Sequence, residues 1–224
     1  MDNSTAMPSS AASPTTLLHA VLGRTSVTRA GALSPVGLVG ALSVLFIAAL
    51  TAAAAQVSVP VPFTLVPLTF QPTIVLLGGL ALGSRLGSAS QLLYLAAGMA
   101  GLPVFAASVS LPPGALRLLG PTGGYLLAYP LAAFAVGALA ERGFDRRYLT
   151  SLLAMIAGLA IIYTCGTAWL AFFARTVTGS TAVGLQAAVA TGVAPFVLPD
   201  VIKLVAAAGI APGLWQLVGR SGRH

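Results

Sequence analysis

The sequence contains very few charged or reactive side chains. Only 7% of its 224 residues are charged, and it has four acids, two histidines, one cysteine and one lysine. A single cysteine excludes an internal disulfide, and the histidines lie in the two tails, where they form no metal-ligand cluster. The arginines are spread between apolar segments instead of forming a basic face with aromatic residues, which argues against nucleic-acid binding. The sequence also lacks a nucleophile paired with a base and a phosphate-binding loop, so it indicates neither an enzyme nor an ATPase.

Most of the other residues are apolar. They make up 57% of the chain, whereas a soluble domain has about a quarter of charged residues. The chain is therefore predicted to be an all-α integral membrane protein, multi-pass in the cell membrane, with room for about six helices of roughly 20 residues each.

The apolar runs predict a six-helix membrane domain from residue 35 to residue 218. Residues 1–34, rich in Ser, Thr, Ala and Pro, predict a flexible cytoplasmic tail, and residues 219–224 predict a short cytoplasmic tail at the other terminus. A cleaved signal peptide is a less favoured interpretation of the first run. The predicted helices span residues 35–55, 73–82, 86–99, 120–140, 148–173 and 200–218.

The last helix has two interpretations. One helix could run from Ala182 to about Ala208, or a short re-entrant helix over residues 182–194 could precede a last span that starts at Pro199. The second is favoured because proline suits the first turn of a helix and an acid suits its N-terminus. Pro212 and Gly213 predict a kink within that span.

A proline-rich segment separates the first two helices. Residues 56–72, QVSVPVPFTLVPLTFQP, carry four prolines, which exclude a continuous helix, yet nearly all of their side chains are apolar. An apolar loop of this kind is predicted to be a lid or plug packed into the bundle at one membrane face. Gln71 is one of its few strongly polar side chains.

The basic residues predict the orientation of the helices. Six spans place eight arginines on the side of the termini and only Arg117 and Arg175 on the other side, so the positive-inside rule places both termini in the cytoplasm. The eight are Arg24, Arg29, Arg85, Arg142, Arg146, Arg147, Arg220 and Arg223. The proline-rich loop and the start of the last helix then meet at the outer face.

Asp200 and Lys203 are the strongest candidate site residues. They are three residues apart, hence on one face of a helix, in otherwise apolar surroundings. Ionisable groups in such a setting pair with each other or line a cavity. A structural ion pair is one interpretation, and polar anchors for a small solute are the favoured one. Two small-residue pairs in the first helix, Ala48/Ala52 and Ala49/Ala53, would allow close approach of another helix, from this chain or from a partner.

Several ordered motifs together resemble the BioY family of biotin transporters, the substrate-binding (S) components of energy-coupling factor (ECF) transporters. The matching stretches are VPVPFTLVPLTFQ, LLGGLALGSRLG, LLYLAAGMAGLPVFA, GPTGGYLLAYPLAA and PFVLPDVIKL, within residues 35–218. The resemblance implies six helices, an outward-facing biotin site and no enzymatic activity or cofactor, biotin being the transported substrate. It also implies a partner module, a transmembrane coupling protein with two ABC ATPases, which docks on the small residues of the first helix.

The resemblance also implies ligand-binding residues. The family's acid and lysine near the start of the last helix match Asp200 and Lys203, and its loop glutamine matches Gln71. Gly123 and Tyr125 belong to the GPTGGY motif, and Arg117 lies in the loop before it. The chain departs from the family in lacking the glycine that often precedes the acid. The alternatives are an S component for another vitamin and, less favoured, a membrane enzyme that uses Asp200 as a general acid or base.

Overall fold

The chain folds into a bundle of α-helices. The computed structural model describes residues 16–22, 35–108, 111–176, 179–180 and 182–220. The helices in these residues are α1 Leu17–Leu22, α2 Pro35–Gln56, α3 Gln71–Leu82, α4 Ser84–Met99, α5 Gly123–Glu141, α6 Tyr148–Phe172, α7 Leu185–Gly192, α8 Ala194–Ala207 and α9 Ile210–Arg220. Two short antiparallel ladders pair β1 Ser58–Val59 with β2 Leu68–Thr69, and β3 Arg175–Thr176 with β4 Gly179–Ser180.

The bundle has the surface of a membrane protein. Five helical segments are long and apolar enough to cross a membrane, namely Gly37–Gln56, Gln71–Met99, Gly123–Glu141, Tyr148–Phe172 and Ala194–Val218. Large apolar side chains such as Leu42, Phe46, Leu153 and Leu198 are exposed on its outside. An outer surface of this kind suits lipid, not water. The prediction of an all-α membrane protein is thus confirmed.

The segment Gln71–Met99 is two helices, because the chain reverses at Gly83. The φ of Gly83 is +83°, a conformation that favours glycine. A Cβ atom on Gly87 would lie 2.9 Å from the Cα atom of Gly79, whereas residues eight apart in one straight helix are about 12 Å apart. Oε1 of Glu141 accepts hydrogen bonds from the backbone and the hydroxyl of Ser84, both at 2.8 Å, and so caps the start of α4. The sequence-predicted helices over residues 73–82 and 86–99 are confirmed as separate helices.

Helix α5 lies at the centre of the bundle, packed against α3, α4 and α6. Its small residues Ala132, Ala133, Val136 and Ala140 are fully buried. A Cβ atom on Gly79 of α3 would lie only 2.6 Å from the carbonyl oxygen of Ala133. Small residues thus let the helix backbones approach closely, as is usual between helices in lipid.

The prediction of a flexible tail is wrong for the short helix α1. It packs against α3 and α9, and its Leu17 and Ala20 are buried. Apolar burial offsets the entropy lost on ordering this stretch. The rest of the predicted tail, residues 1–15 and 23–34, lies outside the described residues.

The predicted boundaries of the last helix are also wrong. Helix α8 begins at Ala194, with Pro195 in its first turn, so Pro199 lies inside the helix. The chain breaks between α7 and α8 at Val193, which excludes one continuous helix from Ala182. The helix breaks at residues 208–209, between α8 and α9, and not at Pro212 as predicted. Pro212 lies in the first turn of α9, where its missing N–H has no cost.

Candidate functional site

A cavity of about 210 Å³ opens at one end of the bundle. Its wall includes residues of the proline-rich loop, residues 105–108 and 111, Arg117, and residues of α3, α5, α6, α7 and α8. We call this end of the bundle the cavity end, and the end that carries Glu141 and Tyr148 the opposite end. The predicted meeting of the proline-rich loop with the segment around Asp200 is confirmed, and the loop before α5 also contributes to the cavity wall.

The proline-rich loop covers the cavity as a hairpin. Its two ends are held together by the β1–β2 ladder, in which Ser58 pairs with Thr69 and Val59 with Leu68. Val66 is buried on the inner side, whereas Phe63 is exposed on the outer side. The loop therefore has the position of a lid, as its apolar composition predicts.

Asp200 is buried on the cavity wall and is held by two neighbours. Its Oδ2 atom accepts a hydrogen bond of 2.7 Å from the hydroxyl of Tyr163, and its Oδ1 atom forms an ion pair with the ammonium group of Lys203. Only 5% of Asp200 is exposed. A carboxylate has about four acceptor positions, so the side chain can still accept a hydrogen bond from a ligand.

Lys203 lies behind Asp200 and is not part of the cavity wall. Its Nζ atom donates a hydrogen bond of 2.6 Å to the carbonyl oxygen of Thr69 and lies 5.3 Å from the ring centre of Phe70. The ion pair therefore also joins α8 to the end of the proline-rich loop. The predicted contact of Lys203 with a ligand stays a prediction.

Gln71 lines the cavity at the start of α3. Its Nε2 atom donates a hydrogen bond of 2.6 Å to the hydroxyl of Tyr94, which in turn donates to the carbonyl oxygen of Val104 at 3.3 Å. This chain of hydrogen bonds fixes the amide, whose Oε1 atom and second N–H remain for a ligand.

Arg117 lines the cavity from the loop before α5. Its Nε atom donates to the carbonyl oxygen of Pro112 at 3.1 Å and its Nη1 atom to that of Ala106 at 2.5 Å. Burial lowers the pKa of Arg117, but a guanidinium stays charged in proteins. Two of its five N–H groups bond the loop, so three remain to bind an anion.

Of the two residues predicted from the GPTGGY motif, Tyr125 lines the cavity and Gly123 does not. The hydroxyl of Tyr125 donates to the carbonyl oxygen of Gly192 at 2.9 Å. A Cβ atom on Gly123 would lie 1.8 Å from the carbonyl oxygen of Leu118, and one on Gly124 2.1 Å from Cβ of Trp169. Both glycines are thus explained by close packing, and a ligand contact of Gly123 stays a prediction.

Sequence reasoning missed two tyrosines of the wall, Tyr129 and Tyr163. Of the five tyrosines in the chain, these two and Tyr125 line the cavity, and Tyr94 forms a hydrogen bond with the cavity residue Gln71. A signal was available for Tyr129, which is four residues after Tyr125 and therefore on the same face of α5. No signal was available for Tyr163, which lies within the long, mainly apolar run of the fifth predicted helix.

The two small-residue pairs of α2 differ in exposure. Ala48 is buried in the core and Ala52 packs partly against it, whereas Ala49 and Ala53 are exposed. Only the second pair is therefore free to approach another protein.

Known proteins resemble the chain over most of its length. The sequence model of the BioY family matches residues 25–220. The probable biotin transporter BioY of Pyrococcus horikoshii is 44% identical over 173 residues, which cover 77% of this chain and 93% of the relative. The biotin transporter BioY of Thermotoga maritima is 38% identical over 159 residues, covering 71% and 86%.

A solved structure has the same fold. The crystal structure of the S-component for biotin from an ECF-type ABC transporter superposes with a TM-score of 0.70, at 23% identity, over 80% of this chain and 92% of that one. At this identity the likeness supports the fold, and the family rests on the sequence match. By that match, the chain belongs to the BioY family.

Proposed function

We propose that this protein binds biotin in the cavity and carries it across the cell membrane as the S component of an ECF-type ABC transporter. The observation that carries the proposal is the presence of a buried carboxylate, Asp200, and a guanidinium, Arg117, on the wall of one apolar cavity. Biotin has a ureido ring with two N–H donors at one end, an apolar thioether ring and a carboxylate at the other end. The names of the relatives support the same ligand.

The polar groups of the wall support one orientation of the ligand. Asp200 accepts an N–H of the ureido ring, with Gln71 beside it, and Arg117 donates its remaining N–H groups to the biotin carboxylate. Such charge-assisted hydrogen bonds are the stronger kind. The proline-rich loop and Tyr125 cover the thioether ring and the chain, and Lys203 balances the charge of Asp200 from behind the wall.

Equilibrium binding tests this function directly. Labelled biotin should bind to the purified protein in detergent, and a large excess of riboflavin or thiamine should not displace it. Displacement by another vitamin at a lower concentration than unlabelled biotin would favour an S component for that vitamin. The relatives are transporters, which disfavours the alternative of a membrane enzyme that uses Asp200.

The proposed partners are a transmembrane coupling protein and two ABC ATPases, with Ala49 and Ala53 on the docking face. Replacing either alanine with leucine should reduce energised uptake and co-purification of the coupling protein, because the helices could no longer approach closely. Biotin binding by the isolated protein should survive. Ala96→Leu, at an exposed alanine of α4, is the control. Full uptake by the Ala49 and Ala53 variants would contradict this docking face.

The proposed topology has six crossings, by α2, α3, α4, α5, α6 and α8, within a membrane domain over residues 35–218. Both terminal tails lie in the cytoplasm, as the arginine distribution indicates. In a Cys165→Ala background, Val183→Cys at the cavity end should react with an impermeant thiol reagent added outside. Arg142→Cys at the opposite end should not react. The reverse pattern would place the cavity on the cytoplasmic side.

A further inference from the structure

The hydroxyl of Tyr129 is a polar group at the cavity that the protein itself leaves unused. Tyr129 is only 4% exposed and lines the cavity, yet none of the hydrogen bonds among the described residues includes its hydroxyl. The other two tyrosines of the cavity wall, Tyr125 and Tyr163, each donate to an acceptor within the protein, and so does Tyr94, the partner of Gln71. The hydroxyl oxygen is not fully enclosed by protein, so it opens into the cavity, where a ligand can supply the partner that such a group normally has.

The position of Tyr129 shows which part of the ligand it would meet. Its ring centre lies 6.5 Å from that of Tyr94, the tyrosine whose hydroxyl holds Gln71. Tyr129 and Asp200 both line the cavity. Tyr129 therefore belongs to the same group of polar residues as Gln71 and Asp200, which is the end of the cavity assigned above to the ureido ring.

We propose that Tyr129 donates a hydrogen bond to the ureido carbonyl oxygen of biotin and so determines specificity for a cyclic urea. The inference rests on the proposed function. The carboxylate of Asp200 can only accept hydrogen bonds, whereas a neutral phenol can donate one. A urea presents an acceptor oxygen between two N–H donors, so an acceptor and a donor side by side match it. A ligand with an N–H donor in place of that oxygen could at most donate to the Tyr129 oxygen and would leave the hydroxyl hydrogen without an acceptor, and such mismatches discriminate strongly.

The test compares biotin with 2-iminobiotin, in which a cyclic guanidinium replaces the urea at neutral pH and no acceptor faces Tyr129. Tyr129→Phe removes only the hydroxyl, and it should weaken biotin roughly 5- to 50-fold. The affinity for iminobiotin should fall less than that for biotin, because iminobiotin offers the Tyr129 hydroxyl no acceptor. The matched control is Tyr148→Phe, because the Tyr148 hydroxyl donates to Val205 at the opposite end. This control should leave both affinities unchanged.

The outcomes separate this inference from the proposed function. If the wild-type protein binds no biotin, the proposed function fails. If it binds biotin and Tyr129→Phe weakens both ligands equally, or neither, the role of Tyr129 fails. The ratio of the two affinities is measured on one preparation, so partial unfolding of the variant does not disturb it. The wild-type protein provides a second test, because equal affinity for biotin and iminobiotin would also overturn the inference.

Discussion

One buried carboxylate lies near each end of the bundle, and the two invite comparison. Asp200 at the cavity end and Asp145 at the opposite end are 5% and 0% exposed. Each accepts a hydrogen bond from an aromatic side chain, Asp200 from the Tyr163 hydroxyl at 2.7 Å and Asp145 from Nε1 of Trp215 at 2.5 Å. Only Asp200 forms an ion pair with a lysine and lines the cavity. Oδ1 of Asp145 has no hydrogen-bond partner among the described residues.

The difference shows that burial and an aromatic donor do not by themselves make a ligand site. A buried charge must be balanced or neutralised. Lys203 balances Asp200 and keeps a charged acceptor at the cavity. At the opposite end, burial raises the pKa of Asp145, although the Trp215 hydrogen bond and the Arg146 charge lower it in part. We therefore assign a structural role to Asp145, which joins the loop between α5 and α6 to α9.

Lys203→Met should have the largest effect of the changes that test this comparison. It leaves the carboxylate of Asp200 buried without its cation and frees the carbonyl oxygen of Thr69. Breaking one side of a buried ion pair costs roughly 3 kcal/mol or more. Thermal unfolding in detergent without ligand should show this loss, and biotin affinity should also fall. Unchanged stability would mean that the pair does not hold the proline-rich loop.

Asp200→Asn should lower ligand affinity, and it should also lower stability because it leaves the Lys203 cation without its carboxylate. An amide of nearly the same shape still accepts a hydrogen bond from Tyr163, but it lacks the charge that strengthens the bond to the ureido ring. We expect a loss of roughly 1.5–3 kcal/mol, about ten- to more than a hundred-fold in Kd. Equilibrium binding and thermal unfolding must be measured separately on this variant. An affinity like that of the wild type in a less stable protein would reassign Asp200 to a structural role.

The sequence could predict which chain segments meet at the cavity, but not which of their side chains line its wall and which hold the segments together. The unusual residues Asp200, Lys203 and Gln71 were found because polar groups are rare in an apolar chain. The position of Lys203 behind the wall depends on the contact with Thr69, 134 residues away, and no local pattern encodes it. The predicted start of the last helix was wrong because Pro195 and Pro199 both suit the first turn of a helix, and the sequence does not show which of them lies there.

Asp145→Ala should have a smaller effect, confined to stability. The substitution leaves the indole N–H of Trp215 without its acceptor, which costs about 1 kcal/mol for a half-buried donor. Biotin affinity should stay like that of the wild type, because Asp145 is not part of the cavity wall. Trp215→Phe removes the same hydrogen bond from the other side, so the double variant should lose less than the sum of the single variants. A large drop in affinity with Asp145→Ala would contradict the division between the two ends.

The smallest expected effect is on the pH dependence of stability, measured by comparing Asp145→Asn with the wild type. This variant keeps an oxygen acceptor for Trp215 and removes only the titration, so other groups cancel in the difference between wild type and variant. Because burial raises the pKa of Asp145 in the folded protein, the folded state holds the proton more tightly than the unfolded state. The resulting stability is fully present below the unfolded pKa of about 4 and is lost as the pH rises through the folded pKa. Thermal unfolding should show that the wild type loses stability relative to the variant between about pH 4 and pH 7. If the wild type instead gains stability relative to the variant over this range, Asp145 is held as a charged group, like Asp200.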